Sequence, residues 1–263
     1  MAEAETMAML KALFQRITPS SNQSPQFKCE QCKDSGWLEI VDENGIKWMK
    51  KCKCMLAREA EERLAASGLS EAIKRQTLDS FEIHTKKQQE IKMVAEKYIA
   101  NLLNAENEYQ RPWMYIGGNP GSGKTHICTA ICGELLKHNI GVKYMQWANE
   151  ARRLKAMIND DDFDELIADY TNVSVLYIDD LLKQQYRPQP VFTEADIKIA
   201  FSILNSRYIQ GKPTIISSEW DLFDHLLPAD EGVFSRVYEK CKGYIVSIER
   251  DPNNNFRIKE RPA

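Results

Sequence analysis

The sequence lacks the features that mark exported and membrane proteins. It has no run of about 18 apolar residues, the length that spans a bilayer, and its first residues, MAEAE, are acidic where a secretion signal is basic. Internal repeats and low-complexity tracts are also missing. The 263 residues, 43% of them hydrophobic, suffice for one large domain, or for one domain and a small module. We therefore expect a globular cytoplasmic protein with no membrane partner.

A strong positive charge is missing as well. The formal net charge is −3 at pH 7, so the chain has no global basic field that would attract nucleic acid. Any contact with DNA must depend on a local patch, and the composition disfavours a dedicated DNA-binding protein.

The cysteines do not suggest a disulfide framework. There are seven of them, an odd number, in a chain without an export signal. Four form a cluster of the pattern C-x-x-C followed by C-x-C, and they are Cys29, Cys32, Cys52 and Cys54. This spacing predicts a structural zinc ion held by two turns, since four thiolates leave no open position for water. The alternative is four free cysteines in a small subdomain.

The three remaining cysteines, Cys128, Cys132 and Cys241, lie in apolar periodic segments. We expect them to be buried packing residues.

The most informative motif fits the phosphate-binding loop G-x-x-x-x-G-K-[ST], and its residues are Gly118, Asn119, Pro120, Gly121, Ser122, Gly123, Lys124 and Thr125. A strand-like run precedes it and a helix-like run follows it, which disfavours an incidental glycine-rich turn. The glycines let backbone N–H groups approach phosphate oxygens at a helix N-terminus. Lys124 is predicted to reach the β- and γ-phosphates, and Thr125 to hold Mg²⁺. We add the next residue, His126, to the predicted nucleotide-binding set.

Apolar runs and helical patterns alternate along the rest of the chain. The predicted strands are residues 113–116, 142–145, 173–178, 214–217 and 244–248, and the helices between them are 125–138, 149–158, 194–210 and 232–240. Further helices are predicted at 8–17, 55–67 and 86–104, with a linker at 18–25. Five buried strands separated by helices predict an α/β fold with a parallel sheet covered on both faces.

The third predicted strand ends in Asp179 and Asp180. The carboxyl edge of the sheet would place both acids beside the phosphate loop. We predict that Asp179 binds Mg²⁺ through water and that Asp180 polarises the attacking water. The alternative is that the pair caps a helix.

Several segments together carry a family resemblance. The phosphate loop, residues 178–181, 205–208, 212–218 and 234–237 resemble the AAA+ ATPase of bacterial DnaC/DnaI-type helicase loaders in order and spacing. Upstream, the cysteine cluster and residues 76–81 resemble the zinc-bearing N-terminal region and connecting segment of the DnaI-like branch. The resemblance implies an N-terminal module (1–68), a connecting segment (69–110) and an AAA+ core (111–263).

The same resemblance implies a function. Such proteins bind ATP with Mg²⁺, assemble beside other copies, and help to place the ring-shaped hexameric replicative helicase on single-stranded DNA. The N-terminal module would then contact the helicase and the ATPase would contact DNA. Two alternatives stay open: an IstB-like transposition ATPase that loads onto duplex DNA, and a nucleotide-gated adaptor without useful turnover.

The resemblance also assigns further site residues. Arg236 matches the arginine finger that reaches the γ-phosphate of a neighbouring copy, although it could be an ordinary surface arginine. Arg207 is a second candidate, or it pairs with an acid in helix packing. Ser218 and Glu219 stand where relatives often have an asparagine that senses the γ-phosphate. Either Ser218 senses, or Glu219 orients water through another group, and hydrolysis could be slow.

Two segments keep two interpretations each. The helix predicted at 8–17 either packs on the zinc module or docks on another protein. The basic loop 183–190 either contacts single-stranded DNA or is simply solvated.

Overall fold

The computed structural model describes residues 27–41, 45–107, 111–158, 160, 162–183, 192–251 and 255–256. They form two compact units, one ending at Arg58 and the other beginning at Glu59. The predicted helix at 8–17 and the linker at 18–25 lie outside the described residues, as does the loop 183–190 beyond Lys183.

The first unit contains a two-stranded antiparallel sheet. Strand β1 covers Trp37–Val41 and strand β2 covers Lys47–Lys51. Trp37 pairs with Lys51, and Ile40 pairs with Trp48. The hairpin brings the chain at Gly36 and Cys52 together, since the N–H of Cys52 donates to the carbonyl of Gly36 (2.8 Å). The two cysteine turns therefore meet at the base of the hairpin.

The second unit contains a five-stranded parallel sheet in the order β4-β5-β6-β3-β7. The strands are β3 (Met114–Gly118), β4 (Val142–Gln146), β5 (Val175–Asp179), β6 (Thr214–Ser218) and β7 (Ile245–Ile248). Strands β3, β5 and β6 are buried along their whole length, which explains their continuous apolar composition. The prediction of five parallel strands is confirmed.

The described helices are α1 (Lys53–Ser67), α2 (Ser70–Arg75), α3 (Lys86–Leu103), α4 (Lys124–Lys137), α5 (Trp147–Ala156), α6 (Phe163–Thr171), α7 (Glu194–Ile209) and α8 (Glu231–Lys240). A π-helical turn (Leu222–Leu226) and a short helix (Leu227–Ala229) precede α8. Helix α6 and the π-helical turn were not predicted. Within the described residues, no helix combines the length and apolarity that crossing a membrane requires.

Side-chain caps explain where two long helices begin. The Thr85 side chain accepts a hydrogen bond from the N–H of Gln88, whose side chain accepts in return from the N–H of Thr85. Thr193 and Asp196 form the same capping box at the start of α7. Each box satisfies N–H groups that the first helical turn would otherwise leave without a partner.

Two apolar cores lie on the two faces of the parallel sheet. Alternation along β5 sends Leu176 and Ile178 into the core built by α5 to α8, and Val175 and Tyr177 into the core built by α3 and α4. The three cysteines outside the cluster are fully buried in these cores, as predicted. With both faces covered, the carboxyl edge of the sheet remains as the place for polar side chains.

Candidate functional site

The phosphate loop connects β3 to α4 in a conformation that requires glycine. Gly118 has φ +113° and Gly123 has φ +92°, values that non-glycine residues adopt only with strain. A Cβ on Gly118 would lie 1.9 Å from the carbonyl oxygen of Ile248. The Ser122 hydroxyl donates to the carbonyl of Asn119 (2.7 Å). The loop thus has a fixed shape that opens toward the N-terminus of α4.

Lys124 begins α4 and folds back over the loop. Its ammonium donates to the carbonyls of Gly118 (2.9 Å) and Asn119 (2.8 Å). The side chain is buried, and burial lowers the pKa of Lys124. The loop therefore holds a partly desolvated cation at the position where the sequence predicts phosphate contact.

A cavity of about 360 Å³ opens in front of the loop. It is lined by Gln76, Pro120, Gly121, Gly123, Lys124, Thr125, His126, Asp180, Lys183, Glu219 and Phe256. A neighbouring cavity of about 600 Å³ shares Gly121, Gly123, His126 and Phe256 and has aromatic walls. In it the ring of Phe256 stacks on that of His84, with centroids 5.6 Å apart.

Asp179 ends β5 at the centre of a ring of hydroxyl donors. Its carboxylate accepts hydrogen bonds from Thr125 (3.1 Å), Tyr144 (3.0 Å), Tyr177 (2.7 Å) and Ser217 (2.6 Å). Thr125 and Asp179, predicted to share a metal ion, are thus in direct contact. Hydroxyl and carboxylate oxygens are the ligands that Mg²⁺ prefers, so this pair fits a magnesium ion.

Asp180 and Glu219 face the cavity and share one cation. The Lys183 ammonium lies 2.8 Å from a carboxylate oxygen of each. Burial raises the pKa of Asp180. Burial opposes the charge of Lys183 too, but the two carboxylates outweigh it and raise its pKa. Lys183 therefore stays positively charged at neutral pH.

Ser218 points away from the cavity. Its hydroxyl donates to the carbonyl of Leu181 (2.9 Å) and accepts from the N–H of Trp220 (3.1 Å). Of the two open interpretations at this position, the geometry favours Glu219, which lines the cavity as Ser218 does not. Strand β6 ends at Ser218, and the bend that follows turns Glu219 toward the cavity.

Arg236 lies on α8 and packs against α7. Its guanidinium donates to the side chain of Asn205 (2.8 Å) and the carbonyl of Gly232 (2.8 Å), and it lies over the ring of Phe201 (4.7 Å). Within the part of the chain that the structure describes, Arg236 is not in the lining of the nucleotide cavity. It could therefore reach a phosphate only in another copy.

Arg207 does neither of the things predicted for it. The side chain is fully buried in α7, so it is not available as an arginine finger. It does not pair with an acid either, because in the described structure its donors go to the Thr214 hydroxyl and to backbone carbonyls of residues 170, 171, 173, 174 and 213. Burial lowers the pKa of Arg207 to about 9, which still leaves it a cation at neutral pH.

The four clustered cysteines meet in the first unit. Their sulfur atoms lie within 4.8 Å of one another, with Cys29 and Cys52 3.7 Å apart and Cys32 and Cys54 3.3 Å apart. Four thiolates on tetrahedral zinc lie about 3.8 Å apart, given Zn–S bonds near 2.3 Å. Burial opposes thiolate formation, but hydrogen bonds from Cys54 and from the Gly36 N–H lower the pKa of Cys32 to about 7. The cluster fits a structural zinc ion.

Some site residues could not be found from the sequence. Tyr144 and Ser217 reach Asp179 only through the pairing of β4 and β6 with β5. Phe256 comes from the far end of the chain, and its N–H donates to the carbonyl of Gly121 (3.1 Å). No local motif marks these residues, because tertiary contacts alone place them at the loop.

Comparison with known proteins now identifies the family. The family model of the IstB-like ATP binding protein matches residues 41–237, a range that includes the phosphate loop, Asp179 and Arg236. The chain belongs to the IstB-like ATP-binding family. It is 30% identical to the phage-like element PBSX protein XkdC of Bacillus subtilis (strain 168), over 88% of this chain and 86% of that protein.

Two solved structures share the fold. The crystal structure of DnaI aligns with a TM-score of 0.53 at 22% identity, over 70% of this chain and 92% of that one. The crystal structure of the DnaC helicase loader aligns with a TM-score of 0.52 at 19% identity, over 69% of this chain and 99% of that one. The resemblance to DnaC/DnaI-type proteins is confirmed, and so is the AAA+ phosphate-loop fold.

Proposed function

We propose that this chain is an ATPase that uses ATP and Mg²⁺ to help load a hexameric replicative helicase onto single-stranded DNA. The observation that carries the nucleotide part is the hydrogen bond between Thr125 and Asp179 (3.1 Å) at the mouth of the phosphate loop. It joins the two side chains that hold the metal in phosphate-loop ATPases. Membership of an ATP-binding family also supports nucleotide binding at this loop.

The residues at the loop have distinct parts in this proposal. Backbone N–H groups of residues 118–125 would bind phosphate oxygens, and Lys124 would exchange its two loop carbonyls for the β- and γ-phosphates. Bound Mg²⁺ would offset phosphate charge between Thr125 and Asp179. Asp180 would accept hydrogen bonds from the attacking water. The aromatic cavity between Phe81 and Phe256 offers stacking surfaces for the base.

The zinc module is proposed as the surface that contacts the helicase. Zinc held by Cys29, Cys32, Cys52 and Cys54 would stabilise a unit too small to build a core of its own. The hairpin leaves Trp37, Trp48 and Met49 40–55% exposed, and apolar exposure of this kind is typical of protein-binding surfaces. We retain the division into a helicase-binding part (1–68), a connecting segment (69–110) and an ATPase core (111–263).

The predicted binding to the helicase, which loading requires, is tested by size-exclusion chromatography with light scattering. The full chain and a variant without residues 1–60 are each mixed with the hexameric replicative helicase of the source organism, with and without ATP. We expect a stoichiometric complex with the full chain that is lost in the truncated variant. Failure of the full chain to bind the helicase in every nucleotide condition would contradict the proposal.

A second candidate function comes from the family itself. The matched family model is that of an IstB-like protein, and the corresponding activity is a transposition ATPase that acts on duplex DNA. A preference for duplex over single-stranded DNA, measured by fluorescence anisotropy at fixed salt, would favour it. An adaptor without turnover is separated by Asp180→Asn, because a hydrolysing loader should stall and an adaptor should not.

A further inference from the structure

Two carboxylates and one ammonium form a compact group on the wall of the nucleotide cavity. The Lys183 ammonium lies 2.8 Å from Asp180 and 2.8 Å from Glu219, and the three side chains are 33%, 26% and 23% exposed. Exposed ion pairs contribute little because water screens them, but these side chains are largely withdrawn from solvent. Their charges are therefore screened less by water than those of an exposed pair, and they act on whatever enters the cavity.

The backbone fixes Lys183 in this position. Residues 180–183 form a tight turn in which the N–H of Lys183 donates to the carbonyl of Asp180 (2.9 Å). Asp180 has φ 58° and Leu182 has φ 60°, a left-handed conformation that costs free energy in residues other than glycine. Such strain persists only where surrounding contacts enforce it.

Strand β6 and the residues after it supply those contacts. The N–H of Leu181 donates to the carbonyl of Ser217 (2.8 Å), and the Ser218 hydroxyl donates to the carbonyl of Leu181 (2.9 Å). The indole of Trp220 donates to the carbonyl of Leu182 (3.1 Å). Leu181 and Leu182 are each 1% exposed. The backbone that presents Lys183 to the two acids is therefore fixed by the fold.

The position of the group within the cavity indicates which part of a nucleotide it faces. Thr125 and Asp179 mark the metal end of the site, and the metal bridges the β- and γ-phosphates in phosphate-loop enzymes. Asp180 and Glu219 line the same cavity as Lys124 and Thr125, so the γ-phosphate of an ATP bound there would lie near both acids. Without a cation, two carboxylates there would repel a triphosphate more strongly than a diphosphate.

We propose that Lys183 lets this chain favour ATP over ADP, by offsetting the charges of Asp180 and Glu219 at the γ-phosphate end of the cavity. The inference rests on the proposed ATP site and names the residue that determines its nucleotide preference. It also explains how an acid can occupy the position of Glu219, where an uncompensated carboxylate would repel the γ-phosphate.

Equilibrium binding of Mg²⁺-ADP and of a non-hydrolysable ATP analogue with Mg²⁺ tests this inference. We expect Lys183→Met to weaken binding of the ATP analogue by about tenfold or more relative to ADP. Lys198→Met is the matched control, because Lys198 is an exposed lysine of α7 outside the cavity lining, and it should leave both affinities unchanged. Thermal denaturation checks folding, and Lys183→Gln replaces the methionine variant if that variant is unstable.

A charge-rescue experiment distinguishes an electrostatic role of Lys183 from a merely structural role. Adding Glu219→Gln to Lys183→Met removes one of the two carboxylates that have lost their partner, so the preference for the ATP analogue should recover in part. The Lys183→Arg variant, which keeps the positive charge, should keep the preference for the ATP analogue. Equal weakening of both nucleotides by Lys183→Met, or no recovery in the double variant, would overturn the inference. If the unmodified protein binds neither nucleotide, the proposed ATP site itself is wrong, and the inference with it.

Discussion

Gly118 shows how one residue sets the geometry of the phosphate loop. A Cβ at this position would lie 1.9 Å from the carbonyl oxygen of Ile248, at φ +113°. We expect Gly118→Ala to separate β3 from β7 and to lower the free energy of unfolding by about 3 kcal/mol. Gly141→Ala is the control, since its nearest neighbouring atom would be 3.9 Å away. Urea denaturation measures the free energy of unfolding of both variants. Equal losses in the two would contradict the explanation that the clash with Ile248 destabilises Gly118→Ala.

Arg207 is a second residue whose effect can be measured. Its guanidinium satisfies the hydroxyl of Thr214 and carbonyls that lead into β5 and β6. Arg207→Ala leaves these acceptors buried without donors and opens a cavity, so we expect a loss of about 3–5 kcal/mol of unfolding free energy. Arg207→Lys should lose less, because it keeps the charge but not the planar set of donors. Equal stability of the unmodified protein and both variants in urea denaturation would show that the carbonyls find other hydrogen-bond donors.

Residues of the site differ in how far the sequence could reveal them. The loop from Gly118 to Thr125 is contiguous, and its spacing is imposed by the phosphate chemistry, so it could be predicted in full. The choice between Ser218 and Glu219 as the sensor stayed open, because position along the chain does not show which side chain after β6 meets the loop. Lys183 was noted only as the start of a loop, since its two carboxylate partners come together only after folding.

Helix α6 and the π-helical turn were missed in the sequence for two different reasons. Helix α6 was missed although Phe163, Leu166, Ile167 and Tyr170 have helical spacing and pack into the core. That signal was available in the sequence. The π-helical turn Leu222–Leu226 has only a capping signal, because the Asp221 carboxylate accepts from the N–H groups of Phe223 and Asp224, and its five residues are too few to show an apolar period.

The zinc module offers a test at the level of one structural unit. We expect the purified protein to contain one zinc ion per chain, and Cys52→Ser to lose most of it, since three thiolates and a hydroxyl bind zinc far more weakly. Near-UV circular dichroism should show loss of order around Trp37 and Trp48 after chelation. Cys128→Ala changes a buried cysteine outside the cluster and should keep its zinc. Full zinc content in Cys52→Ser would rule out the four-cysteine site.

For the whole molecule, the separation of Arg236 from the nucleotide cavity has a consequence for assembly. If Arg236 completes the site of a neighbouring copy, each chain carries two halves of different active sites. A chain with Arg236→Ala keeps its own phosphate loop, while one with Lys124→Ala keeps its finger. Each variant alone should then lose about 10³-fold in ATP hydrolysis rate, measured by phosphate release with the helicase present.

Mixing the two variants distinguishes a finger that acts between copies from an arginine that only packs within one. In the mixture, some phosphate loops of the Arg236→Ala chain meet an intact Arg236 of the Lys124→Ala chain, so hydrolysis should recover well above either variant alone. If Arg236 serves only to join α8 to α7 through Asn205 and Phe201, its loss should lower the melting temperature instead. The mixture would then hydrolyse ATP no faster than the sum of the two variants measured separately, because each phosphate loop would depend only on its own chain.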